Sequence, residues 1–165
     1  MRLARSPFLW ICEGVALIAL AFQIGMLVYY WPRLPDIVPV HFGITGKADG
    51  WGARNTLWIA PAIALFVYAM FCYTTSRPAK LNIPFHVDRT EPEIQRILFS
   101  LNIVMKAATM LLFASLCWFS INTSLGHSAG LGSAFLPSML LLLLVPLAFY
   151  LLRLKQCQDR LDHMR

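Results

Sequence analysis

Charge is what this chain has least of. Lys, Arg, Asp and Glu together make 13% of its 165 residues, where a soluble domain carries roughly 25%. Hydrophobic residues make 58% and the mean hydropathy is +0.62. That balance excludes an ordinary soluble domain and points to a membrane protein. Cysteine is also sparse. The four cysteines, Cys12, Cys72, Cys117 and Cys157, lie in apolar segments or in the basic tail, and none pair at short spacing. A disulfide framework or zinc site is therefore not expected, and small apolar packing residues are. The chain has no nucleophile motif, phosphate loop or dinucleotide fingerprint, no internal repeat and no low-complexity tract. A cleavable signal peptide has an apolar core of roughly 7–15 residues. The first apolar run, residues 7–31, is longer and ends in Tyr29-Tyr30-Trp31, an interfacial aromatic cluster.

What is present is four apolar runs. About 20 residues cross a ~30 Å hydrocarbon core, and the runs 7–31, 56–75, 98–121 and 133–152 meet that length. The expected fold is all-α: a single integral membrane domain, a four-helix bundle, with a structured loop at 32–55. Asn55 or Thr56 is expected to cap the second helix. Thr90-Glu91-Pro92-Glu93 reads as a capping box opening the third. Pro137 and Pro146 predict bends in the fourth.

Lys and Arg outside the spans divide unevenly. Ten fall at the two termini and in the 76–97 loop, and three (Arg33, Lys47, Arg54) fall on the other side. The positive-inside rule then places both termini in the cytoplasm and the 32–55 loop outside the membrane. The net charge of +6 is thereby explained by topology and lipid contact, not by nucleic acid. The lipid bilayer is the expected partner, with other membrane-protein subunits or a small peptide or lipid ligand as further candidates.

The 32–55 loop holds the densest cluster of reactive side chains. Its prolines, including Pro35 and Pro39, exclude helix. Gly43, Gly46, Gly50 and Gly52 permit turns. Apolar Ile37, Val38, Phe42, Ile44 and Trp51 suit packing against the helices. An imidazole with a carboxylate, here His41 with Asp36 or Asp49, can hold a ligand's amine or hydroxyl, relay a proton or bind a metal. Equally, Asp49 can accept backbone N–H bonds in a turn while His41 fixes the loop. One histidine and two aspartates fall short of a metal site, and no cofactor is expected. Glu13 and Lys106 lie at matching depths in the first and third spans, on the order of 9–12 Å in, where they could form an intramembrane ion pair.

The segment from Leu34-Pro35-Asp36 through Pro39-Val40-His41-Phe42 and Gly46-Lys47-Ala48-Asp49-Gly50-Trp51 to Arg54 resembles the SdpI-like family of small bacterial membrane proteins. That family carries a domain of unknown function with the pattern L-P-x-x-I-P-x-H-[FW]-x-x-x-G-x-x-D-G-[WY]-x-x-[KR]. Val38 stands where the pattern has Ile. Asn82-Ile83-Pro84 resembles the family's Asn-x-Pro, and Lys106 a lysine of its third helix. The resemblance implies a bacterial plasma-membrane protein. The named member of the family gives immunity to a secreted toxin and holds a transcriptional repressor. Ligand-binding candidates are therefore Asp36, Pro39, His41, Phe42, Gly46, Asp49, Gly50, Trp51 and Arg54, with Asn82 and Pro84 in the cytoplasmic loop. The leading expectation is a non-enzymatic protein that binds or senses a ligand or toxin. The alternatives are an accessory subunit of a larger membrane complex and, third, an enzyme using His41 and Asp49.

Overall fold

A computed structural model describes residues 6–77, 83–84 and 86–164. Asn82, one of the candidates above, lies outside them. Four helices carry the fold: α1 (Pro7–Tyr30), α2 (Ile59–Thr75), α3 (Pro92–Ser124) and α4 (Phe135–His163). All four belong to segments long and apolar enough to cross a membrane, so the chain is a four-helix membrane protein. Between α1 and α2 lies an antiparallel hairpin, β1 (Ile37–Phe42) and β2 (Ala48–Ala53).

The helices are organised around α3, which packs on each of the other three. It is also the most enclosed, with 56% of its most apolar window buried against 6% for α4. The core follows from small side chains at the crossings: Ala16, Ala19 and Leu20 of α1 meet Ala107, Met110 and Ala114 of α3 and Ala64 of α2. Without a hydrophobic drive between helices in lipid, such close van der Waals packing is what holds them. The exposed apolar residues of α4, such as Leu141, Leu144 and Phe149, suit contact with acyl chains.

Several local expectations are corrected. α2 begins at Ile59, behind a 3-10 turn over Arg54–Trp58, and has no side-chain cap. The Thr56 hydroxyl instead donates backwards to the Ala53 carbonyl at 2.6 Å. The capping box does not form either. Glu91 is the N-cap of α3, and its side chain does not cap the helix. The Thr90 hydroxyl turns to Asp88 at 2.5 Å, and Glu93 reaches Arg160 at 3.0 Å. Thr90 is held by the nearer carboxylate, two residues back, before it can reach α3.

The tail is also part of the fold. α4 runs unbroken through it, and Leu154 and Cys157 bury against Val87, Ile94 and Leu98. At ~1.5 Å per residue the 33-residue α3 is about 50 Å long. It therefore outreaches the hydrocarbon core, and its first turns pair with the end of α4 as a helical stub. Pro84 is exposed near that stub, beside the half-buried Ile83.

Candidate functional site

The hairpin is built by glycine, proline and two bulges. Its register pairs Val38 with Gly52, Pro39 with Trp51, His41 with Gly50 and Phe42 with Ala48. Val40 on β1 and Asp49 on β2 are therefore the extra residues, one per strand. Pro39, which has no N–H to give a ladder, sits beside the first bulge, where proline is tolerated. The turn closes with the Gly46 N–H donating to Gly43 O at 2.8 Å and the Gly43 N–H to Lys47 O at 2.9 Å. Gly46 has φ +76°, a conformation that favours glycine.

An isolated two-stranded hairpin is marginal in water, and this one is fastened at three points. Leu34 and Val38 bury with Leu27 of α1, Leu57, and Cys117 and Ile121 of α3. Such burial is worth roughly 1.5–3 kcal/mol per aliphatic side chain. At the base, the Arg54 N–H donates to Asp36 O at 2.9 Å. At the tip, Leu131 N–H donates to Gly46 O at 2.7 Å, and Lys47 bridges Gly130. The hairpin tip is thus stitched to the α3–α4 connection, so both connections lie at one end of the bundle.

The second bulge brings His41 and Asp49 together. His41 Nδ1 lies 2.5 Å from Asp49 Oδ1, with the side chains 72% and 51% exposed. An ionised carboxylate only accepts, so Nδ1 carries the proton and donates. Asp49 thereby orients the ring, as in a carboxylate–histidine pair, and leaves Nε2 for another contact. Gly50 makes room: a β-carbon there would stand 2.8 Å from His41 Cβ. A β-carbon at Gly52 would stand 3.1 Å from Val40. Val40 and His41 therefore share the glycine face of β2. Trp51, by strand alternation, projects from the opposite face and is 57% exposed; it is not brought to the dyad.

Asp36 and Arg54 form a separate group. Arg54 Nε lies 3.7 Å from Asp36 Oδ1, and its guanidinium stacks over Trp31 at 5.2 Å. Trp31 contacts Trp58 at 5.8 Å, and Arg33 covers Tyr29 at 4.9 Å. This aromatic and cationic belt has the composition of a membrane interface.

A second polar centre lies within the helices. Lys106 Nζ is 2.5 Å from Glu13 Oε2, with the side chains 2% and 14% exposed. The ammonium also approaches Cys72 Sγ at 3.8 Å and the Tyr68 ring at 5.1 Å. One turn away on α3, Asn102 receives the Thr75 hydroxyl at 2.7 Å and donates to Thr74 at 2.6 Å. Glu13, Cys72, Thr75, Ser76, Phe99 and Lys106 line a cleft of about 310 Å³. The i, i+4 spacing of Asn102 and Lys106 was the sequence signal for this network, and it was missed. Gln23 is fully buried on α1, and neither atom of its side-chain amide has a partner among the described residues.

Also missed were the residues of a third feature. Beneath Pro39 and Val40, an apolar cleft of about 340 Å³ runs between α2 (Ile59, Ala60, Ile63) and α3 (Phe113, Leu116, Ser120). No single stretch of sequence carries it, because β1, the 3-10 turn, α2 and α3 all supply its walls.

Comparison with known proteins places the hairpin inside a matched region. Residues 18–65 match a family model described as a domain of unknown function (DUF1648). That region spans the second half of α1, the whole hairpin and the start of α2. An uncharacterized protein of Archaeoglobus fulgidus is 32% identical over 97 residues, covering 51% of this chain and 52% of the relative. The chain thus spans about half the length of that relative. No solved structure matches it.

Proposed function

We propose that the hairpin is the recognition element of an SdpI-like membrane protein, and that His41 and Asp49 form its polar contact. In this reading both termini are cytoplasmic, the hairpin faces outward from the plasma membrane, and the bound species arrives from outside or through the lipid. Immunity or signalling, as in the SdpI-like family, would be the consequence of binding.

The observation that carries the reading is the dyad itself. The imidazole is oriented by Asp49, cradled by Gly50 and left with its Nε2 available on an exposed surface. An exposed pair of this kind adds roughly 0–1 kcal/mol to stability, so folding alone gives little reason for two bulges to assemble it. The hairpin is rigidly fastened, and a rigid scaffold presenting an exposed polar group is how binding loops are commonly built.

The test is to purify the wild type, His41→Ala and Asp49→Asn in mild detergent and identify bound species by native mass spectrometry. The wild type should carry a species that both variants lose, with all three equally abundant in the membrane. Retention by both variants would overturn the reading. So would disappearance of both variants from the membrane, which would make the pair structural. Capture of a larger complex in fixed stoichiometry by all three proteins would favour an accessory subunit instead.

A further inference from the structure

We infer that the free edge of β2 is a self-pairing surface, through which two copies of this chain join their hairpins into one four-stranded sheet. The hydrogen-bond parity of the hairpin defines that edge. The Arg54 N–H reaches Asp36 O, and the next pairs are Ile37–Ala53, Val38–Gly52 and Pro39–Trp51. Bonded and unbonded pairs alternate along an antiparallel ladder. Ile37–Ala53 and Pro39–Trp51 are therefore the unbonded pairs, a position that suits Pro39, which has no N–H. The backbone N–H and C=O of Trp51 and the N–H of Ala53 turn away from β1. Among the described residues no third strand pairs with them.

The open stretch is short and stopped at both ends. Before it, the same edge is already in use: Gly46 O accepts the Leu131 N–H, and Lys47 bridges Gly130. Beyond it, the Ala53 carbonyl accepts the Thr56 hydroxyl, and the chain enters the 3-10 turn. Between the stops, residues 50–53 carry no charge and no proline, two of the devices that guard an exposed edge. Trp51 stands in their middle, 57% exposed, away from the dyad and with glycine on either side.

The occupant follows from the shape of this window. A longer foreign strand meets the Gly130 stitch at one end and the 3-10 turn at the other. The edge of a second copy has the same length and the same stops. Paired antiparallel about a two-fold axis at Trp51, each Trp51 N–H donates to the other's carbonyl. Gly50 then faces Gly52, and Asp49 faces Ala53, so no like charges oppose. The two Trp51 rings become directly opposed cross-strand neighbours, an aromatic pair of the kind that stabilises sheets. Copies that share an orientation in one bilayer also hold this edge at one level, because the hairpin is fastened to α3 and to the α3–α4 connection.

The experiment uses the full chain in phosphatidylcholine vesicles. Trp51→Cys is oxidised with copper phenanthroline beside the wild type and Ile44→Cys, a control at the exposed tip. Residues opposed in a bonded pair hold their Cα atoms about 5.5 Å apart, within the span of a disulfide. Trp51→Cys should form a covalent dimer, and Ile44→Cys should give no more than wild type. Ala53→Pro is the second variant. Ala53 has φ −62°, near the angle that proline fixes, and its N–H serves no bond within the hairpin. The variant should keep the hairpin, read by amide exchange at Arg54 and Leu131. It should weaken dimerisation about tenfold, the loss of one backbone bond from each copy, read by energy transfer between labelled chains as they are diluted in lipid.

A wild type that stays monomeric at every density would overturn the inference. So would Ile44→Cys crosslinking as readily as Trp51→Cys, or Ala53→Pro dimerising like the wild type with its hairpin intact. Oxidation in native membranes that links Trp51→Cys to a foreign polypeptide in place of its twin would overturn it as well. If Ala53→Pro loses the hairpin, the crosslinking comparison alone decides.

Discussion

The molecule holds two ion-pair geometries of the same length in opposite surroundings. His41–Asp49 and Lys106–Glu13 are each 2.5 Å apart, but the first pair is 72% and 51% exposed and the second 2% and 14%. Distance therefore says nothing about what either pair contributes. The exposed pair is solvated and screened, so its loss should barely register in stability. The buried pair is largely withdrawn from water, so its charges lean on each other. Removing one partner alone should be severe, while removing both is far milder. An exposed pair leaves its groups accessible; a buried pair links the two helices that carry it.

The largest expected effect is at the buried pair. Lys106→Met takes the ammonium away from the Glu13 carboxylate and should destabilise by about 3–5 kcal/mol. Adding Glu13→Leu should restore most of that. Thermal unfolding in detergent, followed by helical circular dichroism, measures both. A double variant no more stable than the single would break the comparison.

Next is Gly46. Its φ is +76° and it abuts the backbone of Gly132, so Gly46→Ala should cost about 1–3 kcal/mol. The loss should be concentrated at the tip, read as faster amide exchange at Leu131 and Gly46 with α1 and α3 unchanged. Gln23→Leu should act in the opposite direction. Both partnerless amide atoms are removed, which should stabilise by about 1–3 kcal/mol and raise the unfolding temperature. His41→Ala should have the smallest effect, within about 1 kcal/mol of wild type.

The membrane spans were legible because lipid imposes a coarse rule: about 20 apolar residues and few charges. Helix ends were less legible. Thr56 and Thr90 have the right chemistry for caps, but each found a nearer oxygen, at Ala53 and Asp88. The Pro/Gly-rich loop announced itself as structured, yet its strands were hidden. Proline and four glycines depress strand propensity, and here those residues build the bulges and the cradle under His41. That Asp49, and not Asp36, meets His41 depends on a register shift that no spacing encodes. The stitching at Gly130 and Leu131 is likewise a backbone event between segments more than 80 residues apart in sequence.

The most direct test of the exposed pair's role is a paired measurement on Asp49→Asn: its unfolding free energy and the species it retains from the membrane. The expected result is stability within about 1 kcal/mol of wild type, together with loss of the bound species. Loss of stability by several kcal/mol, or full retention of that species, would contradict a hairpin built for recognition.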